Sequence, residues 1–267
     1  LISMTATPAP ADDLIVIGKI FSVHGVRGEV KVYSFTDPID TGKALIIETG
    51  FCIWDTATKV PLVFGTRIAW DEARQAAYDP RITELTGLTL EQLAFYGKEP
   101  RHVLAEVSQV MSEVEYVVAH NGSGFDLPVL RAEAARHGVG LPATPWLDTS
   151  TDVPYPKKIE TRKLDFLAPS HGFLNPFAHR ALFDVLSMLK VLSNYPIEEV
   201  IRRATSPKVT LRAVTKKPWD DAGKSNNLAK ERGFRFNGEK KIWVKIVLAD
   251  EVAAELAKEG LQVVVME

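Results

Sequence analysis

The sequence predicts an α/β protein: a mixed sheet flanked by helices, preceded by a β-hairpin and followed by a small α+β module. Three observations carry this expectation. Short apolar runs such as ALIIETGFCIWD, PLVFGTRIAW and EYVVAH alternate with stretches of helical period, as in a sheet covered by helices. The 267 residues, 46% apolar and 25% charged, can hold one sizeable α/β domain plus a smaller module. Beyond Tyr195-Pro196 the composition turns basic, which marks the second module.

Taken in order, LISMTATPAPADD reads as a disordered leader. Leu14 to Phe35 alternates apolar and polar residues around HGVRGE, the pattern of a hairpin with a Gly-rich turn. Ala44 to Asp55 and Pro61 to Trp70 follow as adjacent antiparallel strands, and Thr89 in TGLTLEQL is placed to cap a helix. His102 to Val114 has helical spacing. EYVVAH is a short, continuously apolar strand of the kind buried inside a sheet. Leu127 to His137 resumes a helical period that ends at Gly138, and Ala178 to Leu192 puts Leu182, Val185, Leu186 and Leu189 on one stripe. In the module, PIEEVIRRA predicts a short helix, KVTLRAV a strand and NNLAKERGF a helix ending at Gly233. FRFNGEKKIWVKIVL then predicts a hairpin turning at Asn237-Gly238, and VAAELAKEG a last helix. The domains expected are 1–40, 41–195 and 196–267.

A single cysteine, Cys52, excludes a disulfide framework and a cysteine-based zinc site, so a reducing compartment, the cytoplasm, is expected. No apolar run reaches the length of a membrane helix. The net charge of −2 conceals an asymmetry: Arg202 to Lys245 carries 13 Lys/Arg against 4 Asp/Glu, whereas residues 1–201 carry 18 against 25. The basic stretch supplies sequence-independent attraction for a polyanion, and a solvated face is its bland alternative.

The chemistry centres on AHNGSGFD and, further along, HRALFD. Asp126 follows a strand and opens a helix, while His179 precedes Asp184 by about a helical turn. Carboxylates delivered by separate elements can share hard cations such as Mg²⁺ or Mn²⁺, and a nearby histidine can take a proton from a metal-bound water. Each residue also has a plain reading: Asp126 as a helix cap, Asp184 as a solvated acid, His179 as a helix-start histidine. His171 and Asn175 are accounted for by loop polarity.

With IIETGFCIWDT, ITELTGLTLEQL and LDFLAPSHGF, these motifs resemble the DnaQ-like (DEDDh) 3′-to-5′ exonucleases over about residues 44–192. The resemblance implies an RNase H-like mixed five-stranded sheet. It also implies Asp126 and Asp184 as metal ligands for Mg²⁺ or Mn²⁺, His179 as the general base, and a single-stranded or frayed nucleic-acid 3′ end as substrate, DNA ahead of RNA. The opening, LIVIGKIFSVHGVRGEVKVYSFTDPID, resembles the start of the ribosome maturation factor RimM, which suggests a fusion at about Asp40. Two strands cannot close that family's barrel, so a ribosomal partner is not expected.

One part of the exonuclease pattern is missing: its first motif, Asp-x-Glu, at the end of the central strand. Aligned without a gap, those positions fall on Tyr33 and Phe35, which cannot bind Mg²⁺. Asp37, as a substitute metal ligand, and Asp40 could fill the vacancy if Val30 to Phe35 serves as the central strand, and Glu48 is a further acid nearby. The expected function is a metal-dependent 3′-to-5′ exonuclease impaired at its first motif. The rival is an inactive nucleic-acid-binding protein of the same ancestry.

Overall fold

A computed structural model describes residues 14–23, 44–215 and 224–266, with backbone alone for 14–23 and 224–226. Contacts divide the chain into two compact units, Leu1–Ala204 and Thr205–Glu267.

The first unit is built on a five-stranded sheet of order β3-β2-β1-β4-β5, made of β1 (Leu14–Val23), β2 (Ile46–Asp55), β3 (Val60–Ile68), β4 (Tyr116–Ala119) and β5 (Trp146–Asp148). β2 is antiparallel to β1 and β3, whereas β4 is parallel to both β1 and β5. The N-terminal antiparallel pair is therefore Leu14–Val23 with Ile46–Asp55. The expected partner Val30–Phe35 and the leader lie outside the described residues. Leu14–Val23 itself fills the middle of the sheet, the place that Val30–Phe35 would take if it served as the central strand. It satisfies the β4 backbone on one side while β5 satisfies it on the other, which a strand as buried as Val117, Val118 and Ala119 requires.

Helices α1 (Glu72–Ala76), α2 (Arg81–Thr86), α3 (Leu90–Tyr96) and α4 (Pro100–Ser112) lie between β3 and β4. Thr89 caps α3 in a full capping box: its hydroxyl accepts from the Gln92 amide, and the Gln92 side chain accepts from the Thr89 amide. Residues 81–86 form α2, which closes on left-handed Gly87. Helix α5 (Asp126–Arg136), together with Val129 and Leu130, packs on the sheet face that presents Ile46 and Val117. Helix α7 (Ala181–Leu192), with Val185, Met188 and Leu192, packs on the face that presents Cys52, Trp54 and Val118. Burial there pushes the Cys52 thiol up to about 11, which makes it an inert core group. α6 (Leu164–Ser170) and α8 (Ile197–Thr205) complete the unit.

The second unit is an antiparallel sheet of order β7-β8-β6-β9, made of β6 (Lys208–Ala213), β7 (Arg235–Asn237), β8 (Ile242–Leu248) and β9 (Val263–Val265), with α9 (Lys224–Glu231) and α10 (Val252–Leu256). Asn237 pairs with Ile242, so the hairpin turns over residues 238–241 rather than at Asn237-Gly238 alone. The Asn237 side chain accepts from the Lys240 amide, and Lys241 takes the left-handed conformation.

Candidate active site

Asp126 is delivered by the turn that leaves β4. Asn121 adopts φ +61, and a Cβ on Gly122 would fall 2.5 Å from that of Ala119, so the tight reversal depends on these two residues. Asp148, at the end of β5 and 4% exposed, holds the turn. Its carboxylate accepts from the backbone amides of Asn121 (2.8 Å) and Ser123 (3.1 Å) and from the amide and hydroxyl of Ser150. Helix α5 then opens on Asp126, buried at 1% exposure, where the positive end of the helix favours a carboxylate.

Asp184 lies in the first turn of α7 and is 2% exposed. The helix start is fixed from β2: buried Glu48 accepts from the Ala181 amide at 3.0 Å and from the Arg180 guanidinium at 3.0 Å. A Cβ on Gly50 would lie 2.4 Å from Ala181 C and Leu182 N, so only glycine lets α7 sit this close to the sheet. Asn175 donates to Asp184 Oδ1 at 2.6 Å and thereby orients it. His179, expected at the helix start, stands outside the helix with φ +69 and is half-buried. The left-handed residue makes a bend between Ala178 and α7, so the one-turn helical spacing from His179 to Asp184 does not apply.

Register brings the helix starts to one edge. Strands β1, β4 and β5 run parallel, Ile17 pairs with Val118, and Lys19 pairs with Gly50, the residue beneath the start of α7. Asp126 and Asp184 thus enter at the carboxyl ends of the parallel strands from opposite faces of the sheet, where ligands of open α/β sheets bind.

Asp37 and Asp40 lie outside the described residues, and Glu48 is engaged by Arg180. The central strand reads LIVIGKIFSV and contains no carboxylate. The β1 residues paired with Gly50 and Glu48, beside the start of α7, are Lys19 and Phe21, and neither is an acid. Among the described residues, no group of three or more His, Cys, Asp or Glu could hold a metal ion. A two-cation phosphodiester site needs roughly four carboxylate contributions with the ions ~4 Å apart. Asp126 and Asp184 alone do not fit such a pair. Sequence reasoning missed the parts played by Asp148, Glu48 and Asn175, because each works through contacts with residues far along the chain that no local motif marks.

Residues 67–192 match the exonuclease family model. Residues 15–49 match the RimM N-terminal domain. The exonuclease match thus begins near the end of β3, while β1, the middle strand of the same sheet, lies in the RimM-like stretch. Over 36 residues the chain is 92% identical to the ribosome maturation factor RimM of Pseudomonas fluorescens and, separately, to that of Pseudomonas syringae pv. syringae. In each case the match is 14% of this chain and 20% of the relative. The chain therefore spans a fifth of the length of the curated relatives it matches. Among solved structures, exonuclease I aligns at 13% identity over 92% of this chain and 66% of that one, with TM-score 0.59. The Escherichia coli enzyme in complex with a dA16 oligonucleotide aligns at 12% identity over 92% and 66%, with TM-score 0.57. The nuclease domain of 3'hExo, described as a DEDDh family member bound to rAMP, aligns at 16% identity over 68% of this chain and 90% of that one, with TM-score 0.53. The fold is that of the exonucleases. Among the described residues, no helix is long and apolar enough to cross a membrane.

Proposed function

We propose that the first unit takes a single-stranded nucleic-acid 3′ end at the sheet edge where α5 and α7 begin, and that hydrolysis there is crippled. The observation that carries this reading is the makeup of β1: the fold, the buried Asp126 and Asp184, and His179 are retained, while the middle strand supplies no carboxylate. In an intact site, Mg²⁺ or Mn²⁺ would activate water and balance charge on the phosphate. Among the described residues, Asp126 and Asp184 are the carboxylates at this edge that would hold such an ion, and His179 would be the base for an attacking water in the 3′-to-5′ direction. Binding outlives hydrolysis because it draws on phosphate attraction rather than on ion placement. The boundary expected after residue 195 moves past α8, whose Ile197 and Val200 pack in the first unit's core, so the working division is an exonuclease-type unit to Ala204, then a basic module.

The test uses labelled single-stranded DNA and RNA, since structural relatives are described with a deoxyadenylate oligomer and with rAMP. Salt-sensitive binding with little or no metal-dependent release of mononucleotides is expected. Rapid release that Asp184→Ala abolishes would instead make the chain a working exonuclease, and absence of binding to either strand would remove the reading altogether.

A further inference from the structure

Among the described residues, the helices of the second unit pack on one face of its sheet. Leu211, Ala213 and Val247 point to the side where Ala229 of α9 and Val252 of α10 close the core, so by strand alternation Thr210, Arg212, Val244 and Ile246 point to the other. Ile246 there is 66% exposed. A solvent-facing sheet side ordinarily carries polar residues; this one presents a branched aliphatic stripe.

Charge frames that stripe. Register runs a single rung across all four strands: Arg235 pairs with Val244, Val244 with Arg212, and Arg212 with Val264. The two exposed arginines stand two strands apart on one face, about 10 Å by strand spacing. The strands themselves, KVTLRA, RFN, IWVKIVL and VVV, contain no acid. Arg212 and Arg235 make no ion pair among the described residues. Their neighbours on the helix side contrast sharply: Arg232 and Lys245 are both held by buried Glu255.

We propose that this open face is a second nucleic-acid-binding site, on which Arg212 and Arg235 contact backbone phosphates of a single strand while Val244 and Ile246 lie against its sugars and bases. The proposal rests on the nucleic-acid reading above for its ligand class but on residues remote in sequence from Asp126 and Asp184. Guanidinium groups suit phosphate because they present a planar fork of donors, and an acid-free face adds no repulsion.

The test compares the full chain with the double variant Arg212→Ala/Arg235→Ala, using labelled oligothymidylate and oligouridylate across a salt series. Binding to both probes should weaken by about tenfold or more. The slope of log affinity against log salt should fall by about 1.4, at roughly 0.7 per phosphate lost on a single strand. Arg212→Lys/Arg235→Lys should keep most of the slope, and a matching thermal midpoint establishes that both variants fold. Unchanged affinity and slope in the alanine variant overturn the proposal while leaving the first unit's site intact. Salt-dependent self-association that the same variant abolishes also overturns it, making the face an interface with a second copy. A slope reduced in the alanine variant and kept in the lysine variant upholds it whether or not the chain digests its probe.

Discussion

Glu48 and Arg180 stand 132 residues apart in sequence and 3.0 Å apart in space, and their pairing closes the start of α7 onto β2. The Glu48 side chain is 2% exposed and that of Arg180 28%, so removing the arginine leaves a buried carboxylate met, among the described residues, only by the Ala181 amide and the Thr66 hydroxyl. Arg180→Ala should cost about 2 kcal/mol in urea unfolding, below the 3–5 of a fully buried pair because this one is partly screened. Replacing both partners by leucine should cost less than the single change. Equal midpoints for Arg180→Ala and the parent would mean that the pair contributes nothing.

The makeup of β1 leads to a gain-of-function prediction. Lys19 and Phe21 are the β1 residues paired with Gly50 and Glu48, beside the start of α7. The double change Lys19→Asp/Phe21→Glu restores an Asp-x-Glu pair to the central strand near Asp184. Mn²⁺-dependent release of mononucleotides should rise at least about tenfold, which corresponds to roughly 1.4 kcal/mol of barrier. If release stays at the parent's level while the variant remains folded, the lack of acids in β1 is not what limits hydrolysis.

Much of this was legible in the residues. EYVVAH announced β4 by its unbroken apolar run, TGLTLEQL announced the cap of α3, and the acid pair stood out at Asp126 and Asp184. The middle of the sheet was not legible, because LIVIGKIFSV alternates well enough to pair with either of two neighbours. Only the need of buried β4 for a partner decides the matter, and that is a tertiary requirement. β9 escaped notice because three valines after a helix carry no turn signal. The bend at His179 was hidden for a similar reason: the periodicity of Leu182, Val185 and Leu189 extends backward without marking where the helix begins.

Asp148 tests whether the turn before Asp126 depends on a side chain that no motif identified. Asp148→Ala removes the acceptor for the Asn121 and Ser123 amides and for Ser150. It should cost about 2–3 kcal/mol, the range for leaving buried polar groups unmet. Because Asn121 is held at a left-handed φ, release of the turn should also weaken binding of single strands at a temperature where the variant is still folded. Full binding with lowered stability would confine Asp148 to a structural part.

In the second unit, Glu255 makes stability depend on acid. Burial alone would raise its carboxyl, but hydrogen bonds from Lys258, Arg232 and Lys245 outweigh that effect and hold it at about 2, against an ordinary 4.5. Since the folded-state value lies below the unfolded one, the stabilisation is fully present above about pH 4.5 and is lost as pH falls from there toward 2. Glu255→Gln lacks this contribution at every pH. At neutral pH the parent should exceed the variant by at most about 3 kcal/mol, from 1.36 kcal/mol per unit of displacement, and the gap should narrow steadily below pH 4.5. Hydrogen exchange of the β8 amides in the full chain reads this unit by itself. A gap that stays constant from pH 7 to pH 2.5 would show that packing around residue 255, and not its charge, is what the three cations secure.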